Sequence, residues 1–173
     1  MQQIKWFERR FDFSFKQNIF PAIIERLNGT SVRLKAKIEQ IPPDLLEIKL
    51  DEKWSIKENI GHLIDLEPMW HGRLDDIMEN KEYLRSADLD NKKTDFAQHN
   101  KTVISVLLSQ FQELRKLTLN RLTELNEQDV YKTSLHPRLE KPMRTMDLFL
   151  FVAEHDDHHL ARITEIKTTA NNA

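Results

Sequence analysis

His155 and His159 stand four residues apart in Glu154-His155-Asp156-Asp157-His158-His159-Leu160, within a stretch whose apolar spacing is helical. An α-helix turns about 100° per residue, so positions i and i+4 lie about 40° apart and their side chains can converge on one ion. Two imidazoles so placed have metal-ligand geometry, the most specific chemical signal in the chain. Seven histidines over 173 residues would still give on the order of 0.3 such pairs by chance, so a further ligand must come from elsewhere.

The candidate is His62, two turns into a segment that opens with Trp54-Ser55-Ile56-Lys57-Glu58. Ser55 and Glu58 have the spacing of a capping box, which fixes where that helix starts. Gly61 costs a helix roughly 1 kcal/mol relative to alanine, so its place beside His62 predicts that something packs closely there. His62 shares a face with Leu66 and Met69, and His155 and His159 share one with Leu148, Val152 and Ile163. Three neutral imidazoles in one apolar cleft each need a hydrogen-bond partner or a cation, and a divalent metal serves all three. The absence of cysteine excludes a thiolate site, a disulfide framework and a cysteine nucleophile, leaving histidine with or without carboxylate.

The remaining histidines divide by phase. His71, nine residues after His62, faces away unless Pro68 resets the helix, and His99 and His136 have no partner at ligand spacing and read as structural. His158 lies about 60° from His155, so periodicity leaves it open as a ligand or a neighbour. Glu58, Asp65, Glu154, Asp156 and Asp157 could each orient a ligating ring, although a solvated charge is the ordinary reading of any one. Asp65, one turn after His62, keeps closest to that histidine's face.

These residues need helices to position them. With 39% hydrophobic content and three glycines in 173 residues, the chain reads as one all-α domain without strands of consequence. The first helix is expected from Phe20, with Phe20, Ile24, Leu27, Leu34, Ile38 and Ile41 along its seam and a bend at Asn28-Gly29. Pro42-Pro43 ends it. The second should run from Ser55 to about Asn80 with a kink near Pro68, and a third, the longest, should start at Thr94 or Asp95 with Phe96, Val103, Leu107 and Phe111 on its face. A fourth spans roughly Thr145 to Thr168, with Thr145 as N-cap and Asp147 at the positive end of the dipole. Connections of about 14 and 20 residues fit a four-helix bundle with crossover connections better than up-and-down order. The aromatics of residues 1–19, Trp6, Phe7, Phe11, Phe13 and Phe15, are expected to pack on the bundle.

Lysine and arginine number 26 against 28 aspartates and glutamates, which gives no electrostatic reason for a nucleic-acid or anionic-membrane partner. Met1 to Phe15 mixes charges with aromatics and suggests neither signal peptide nor anchor, so the cytoplasm is the expected location.

Trp54-Ser55-Ile56-Lys57-Glu58, then Gly61-His62-Leu63, then His155-Asp156-Asp157-His158-His159-Leu160-Ala161-Arg162-Ile163 resemble the DinB-like (DinB/YfiT) metalloprotein superfamily in order and spacing. The resemblance implies a four-helix bundle with crossovers that carries one divalent metal, most often nickel or zinc, on three histidines. It maps those ligands to His62, His155 and His159 and leaves His158 as a neighbour, in the surrounding layer with Asp65. The family includes thiol-dependent S-transferases using bacillithiol or mycothiol, and a thiol-dependent isomerase. The expectation is therefore an S-transferase or hydrolase acting on a small molecule, with a metal-bound water or thiolate as nucleophile. Without cysteine, the thiol must arrive as a low-molecular-weight cosubstrate. The alternative is a metal-stapled binding or dimerisation module, and a homodimer is the assembly to test.

Overall fold

Helix signals at the chain's punctuation points set the frame, and a computed structural model describes residues 3–170 of it. The expected single unit of 1–173 and its leading segment 1–19 thus include residues 1, 2 and 171–173, which lie outside the described residues. Helix α1 (Phe20–Ile38) carries Pro21 in its first turn and runs unbroken through Asn28-Gly29. It buries Phe20, Ile23, Leu27, Thr30, Leu34 and Ile38, so Ile23 rather than Ile24 takes the core position. Helix α2 (Ile56–Met78) begins at a true capping box, in which the Glu58 backbone N–H donates to Ser55 Oγ at 3.2 Å and the Ser55 N–H donates to Glu58 Oε2 at 2.9 Å. It continues through Pro68.

The third expected helix is three pieces: α3 (Lys92–Phe96), a 3-10 turn (His99–Lys101) and α4 (Ile104–Thr123). Gln98 takes a left-handed φ of 55° and Val103 is extended, which ends helical hydrogen bonding twice. Phe96 and Val103 are consequently exposed, not core. After a short α5 (Glu127–Tyr131), the segment expected to lack strands forms an antiparallel hairpin, β1 (Thr133–His136) with β2 (Lys141–Arg144). Pro137 and Pro142 cannot continue a helix, and strand alternation turns Ser134 and His136 inward. The longest helix is α6 (Thr145–Ala170). Its start is held by the Arg144 N–H donating to Asp147 Oδ2 at 3.0 Å, whereas the Thr145 hydroxyl donates to the Asp129 carbonyl instead of capping.

Helices α1 and α2 each pack on α4 and α6. The consecutive pairs α1/α2 and α4/α6 therefore sit on diagonals of the bundle, and the chain crosses its end between them. The core has two apolar halves, one around Leu27, Trp70, Phe149 and Val152, the other around Leu34, Leu63, Phe111 and Ile163. A polar layer with one residue from each long helix divides them: Thr30, Glu67, Arg115 and Asp156, all buried. Arg115 Nε donates to Glu67 Oε1 at 2.8 Å and Nη1 to Asp156 Oδ2 at 2.5 Å, while the Thr30 hydroxyl donates to the same Asp156 oxygen at 2.8 Å. Burial alone would lower the Arg115 pKa, but Asp156 and Glu67 outweigh it and hold the guanidinium above its ordinary value. Asp156, a solvated charge on the ordinary reading, is thus a buried counter-ion.

Candidate metal centre

Beside this layer, α2 delivers His62 and α6 delivers His155 and His159 into one buried cluster. One nitrogen from each lies within 4.8 Å of the others. The Nε2 atoms of His155 and His159 are 3.2 Å apart.

Neighbours fix two of the three tautomers. His159 Nδ1 is 2.8 Å from Asn59 Oδ1, and Asn59 is oriented because its amide donates to the Trp54 and Ser55 carbonyls. His159 Nδ1 therefore carries the proton and Nε2 is bare. His62 Nδ1 is 3.0 Å from Thr94 Oγ1, and the Thr94 hydroxyl spends its one proton on Asp65 Oδ2, also at 3.0 Å. The same reasoning makes Nδ1 of His62 the donor and turns a bare Nε2 inward. His155 Nδ1 is buried without a hydrogen-bond partner among the described residues. Two bare Nε2 atoms, that of His159 only 3.2 Å from Nε2 of His155, converge in one buried cluster on the cavity wall, so these residues fit a divalent metal.

Asp65 does stand behind His62, but through Thr94 rather than directly, and it also binds His99 Nε2 at 2.8 Å. His99 in turn packs on Gly61, where a Cβ would land on its ring; this is the close approach that glycine beside His62 foretold. Gly61→Ala should therefore destabilise the protein by about 1–3 kcal/mol despite alanine's better helix propensity, because the held His99 ring must move. Chemical denaturation would measure this, and a neutral or stabilising result would contradict it.

His158 lies outside the cluster, edge-on to His159 at 5.4 Å between ring centroids, with the Trp6 ring 5.5 Å away. His71 faces α4, with Nε2 2.6 Å from the Thr118 hydroxyl. Glu154 and Asp157 pair with arginines of the N-terminal segment and α1: Arg9 with Glu154, Arg26 with both, and Arg33 with Asp157. Glu58 caps α2 and pairs with Lys49. The N-terminal aromatics pack on the bundle only in part. Trp6, Phe11 and Phe13 join the core while Phe7 and Phe15 stay exposed, and Trp6 sits edge-on to His155 at 4.8 Å.

The three histidines form one wall of a cavity of about 710 Å³ that reaches solvent. All three tryptophans, Trp6, Trp54 and Trp70, line it. Sequence reading missed Asn59, Thr94 and Trp70 as site residues. Asn59 had a signal, one turn before His62 on the same helix, whereas Thr94 is 32 residues away and had none.

Burial lowers the pKa of His62 to about 4 and, with the neighbouring imidazoles acting in the same direction, takes His155 and His159 well below 6.5. All three are neutral at pH 7, as ligands must be. Unfolded imidazoles take up protons near 6.5 and these folded ones resist, so they stabilise the fold fully above pH 6.5 and lose that contribution as pH falls through 6.5 toward 4. The thermal midpoint of metal-free protein should accordingly drop between pH 7.5 and pH 5; a midpoint that rises over that interval would refute the sign.

The comparisons with known proteins agree with this fold. The chain matches the model of the DinB superfamily over residues 25–163. Among solved structures it is similar to YfiT from Bacillus subtilis, described as a probable metal-dependent hydrolase with an unusual four-helix bundle topology. The identity is 22%, with 95% of this chain and 94% of that one covered and a TM-score of 0.80. It is also similar to the colibactin self-resistance protein ClbS, solved in complex with a dsDNA, at 16% identity over 89% of this chain and 98% of that one, with a TM-score of 0.66. That complex goes against the expectation of no nucleic-acid partner, since a bundle of this fold is seen on DNA. No curated protein matches the chain. Among the described residues no helix is long and apolar enough to cross a membrane. With the family model matching residues in all four long helices and the crossover bundle in place, the chain belongs to the DinB superfamily.

Proposed function

We propose that this protein is a divalent-metal-dependent enzyme of hydrolase type, with His62, His155 and His159 as the ligands of one zinc or nickel ion. The observation that carries the reading is the incomplete protein coordination sphere facing a cavity. Among the described residues, only those three of the histidines, cysteines and acids come together at metal distance, and they do so on the wall of a space large enough for a small molecule. A metal that merely stapled helices would be closed off by protein. A divalent ion held there supplies Lewis acidity and lowers the pKa of a bound water or thiol toward neutrality. The chain's own contribution is to fix the rings: Thr94 with Asp65 holds His62, Asn59 holds His159, and the Trp6, Trp54 and Trp70 walls restrict water. YfiT's description supports hydrolysis. Thiol transfer is the second reading, favoured by the volume of the cavity, which can seat an external thiol beside an electrophile.

The test is turnover by zinc- or nickel-loaded protein of p-nitrophenyl esters, alone, and of an aryl halide in the presence of low-molecular-weight thiols. Chelator-sensitive ester cleavage supports the hydrolase and thiol-dependent arylation the transferase; neither, in protein that holds its metal, leaves a metal-stapled module. Thr94→Val should weaken metal binding about 10- to 100-fold while leaving the far-ultraviolet spectrum unchanged. Competition with a chromogenic chelator reads this, and wild-type affinity in the variant would remove Thr94 from the site.

A further inference from the structure

At the other end of the cavity, α2 presents Arg73, eleven residues or roughly 16 Å along the helix from His62. It is only 2% exposed, yet no carboxylate among the described residues meets it. Its Nε donates to the Arg85 carbonyl at 3.2 Å, and the nearby Asp76 is already bound by Arg85 and Lys81. A buried guanidinium without a counter-ion is expensive, and proteins retain one where a ligand supplies the charge.

The contact between Arg73 and His136 says what the ligand must offer. His136 Nδ1 accepts the backbone N–H groups of Arg138 and Leu139, both at 3.2 Å. That nitrogen is therefore bare, and the ring proton sits on Nε2. Nε2 lies 3.1 Å from Arg73 Nη1, which always bears hydrogen, so two donors confront each other with no acceptor between them. Both residues line the cavity, and so does Arg138, whose guanidinium stacks on Phe7 at 5.3 Å. An oxygen anion placed there would accept from Arg73 and His136 together and neutralise the buried charge. Trp70 separates this end from the metal end, its ring 6.0 Å from that of His155 and 5.6 Å from the Arg73 guanidinium.

We propose that Arg73 and His136 form a carboxylate-binding subsite, so that the substrate carries an anionic group one indole away from the bond attacked at the three histidines. A monoanion matches the single buried charge, and the flat guanidinium fork suits a carboxylate. In calling that molecule the substrate, the inference rests on the metal-dependent reading, but its test does not.

The experiment is a tryptophan-fluorescence titration of full-length, zinc-loaded protein with benzoate, with the neutral isostere benzamide, and with phenyl phosphate. Benzoate should bind at least tenfold more tightly than benzamide. That preference should persist in His155→Ala, vanish in Arg73→Gln, and shrink several-fold in His136→Phe, which retains the arginine charge and serves if Arg73→Gln does not fold. Equal binding of benzoate and benzamide to wild type overturns the subsite, as does a preference unaffected by both cavity variants. Loss of the preference in His155→Ala overturns it by placing benzoate on the metal, and tenfold tighter phenyl phosphate overturns the choice of carboxylate. A protein that takes up no zinc yet shows Arg73-dependent benzoate binding would sink the metal reading and leave this one standing.

Discussion

Replacing His155 by alanine is expected to reduce bound metal from about one ion per chain to near zero, with affinity falling by more than the 10- to 100-fold typical of losing a supporting hydrogen bond. A tridentate site that loses one ligand keeps two nitrogens, and here His62 and His159 are supplied by different helices. His159→Ala and His62→Ala should behave alike. His71→Ala should retain the metal, because His71 faces the Thr118 hydroxyl on α4. Elemental analysis of tag-free protein never exposed to chelating resin would measure all four. Metal retained in His155→Ala, or lost equally in His71→Ala, would contradict the ligand assignment. Metal-free wild type should keep its helical content, since two apolar core halves hold the bundle independently of the site.

The largest stability effect should come from a residue outside the cluster. Arg115→Met preserves most of the side-chain volume but strands Glu67 and Asp156, both buried, without their counter-charge. Breaking a buried ion network from one side costs about 3–5 kcal/mol. For a chain of this size that corresponds to a fall of roughly 6–20 °C in the thermal midpoint. Neutralising all three positions in Arg115→Met/Glu67→Gln/Asp156→Asn should restore part of the loss. Calorimetry at pH 7 distinguishes these outcomes; an Arg115→Met midpoint within 2 °C of wild type would show that the layer contributes little. Asp156 adjoins His155 in sequence, so the layer also stiffens the stretch of α6 that carries the histidine pair.

Most of the frame was legible because it rests on local chemistry. Pro21 in a first turn, the Ser55/Glu58 box and the Pro42-Pro43 stop act within a few residues, and the structure obeys each. Errors arose where a longer-range preference prevailed. Phe96 and Val103 continue an apolar period into α4, but the left-handed Gln98 breaks the helix between them and leaves both exposed. The hairpin at 133–144 was hidden because its strands are four residues each and their pairing is nonlocal. Asp156 read as one more charge in an acidic run, since nothing near it in sequence discloses Arg115, 41 residues away.

By itself the sequence determined the helix types, most of their starts, and the His155/His159 pair, because a 3.6-residue repeat converts spacing directly into direction. It also brought His62 into consideration, through the capped helix that carries it and the glycine beside it. Only the tertiary structure decided that His62 meets the pair, that Thr94 and Asn59 fix the ring tautomers, and that Arg73 faces His136 without an acceptor between them. Each of those contacts joins segments that the chain alone does not relate. Their geometry follows from the diagonal crossings of the bundle, which depend on how whole helix faces pack against one another.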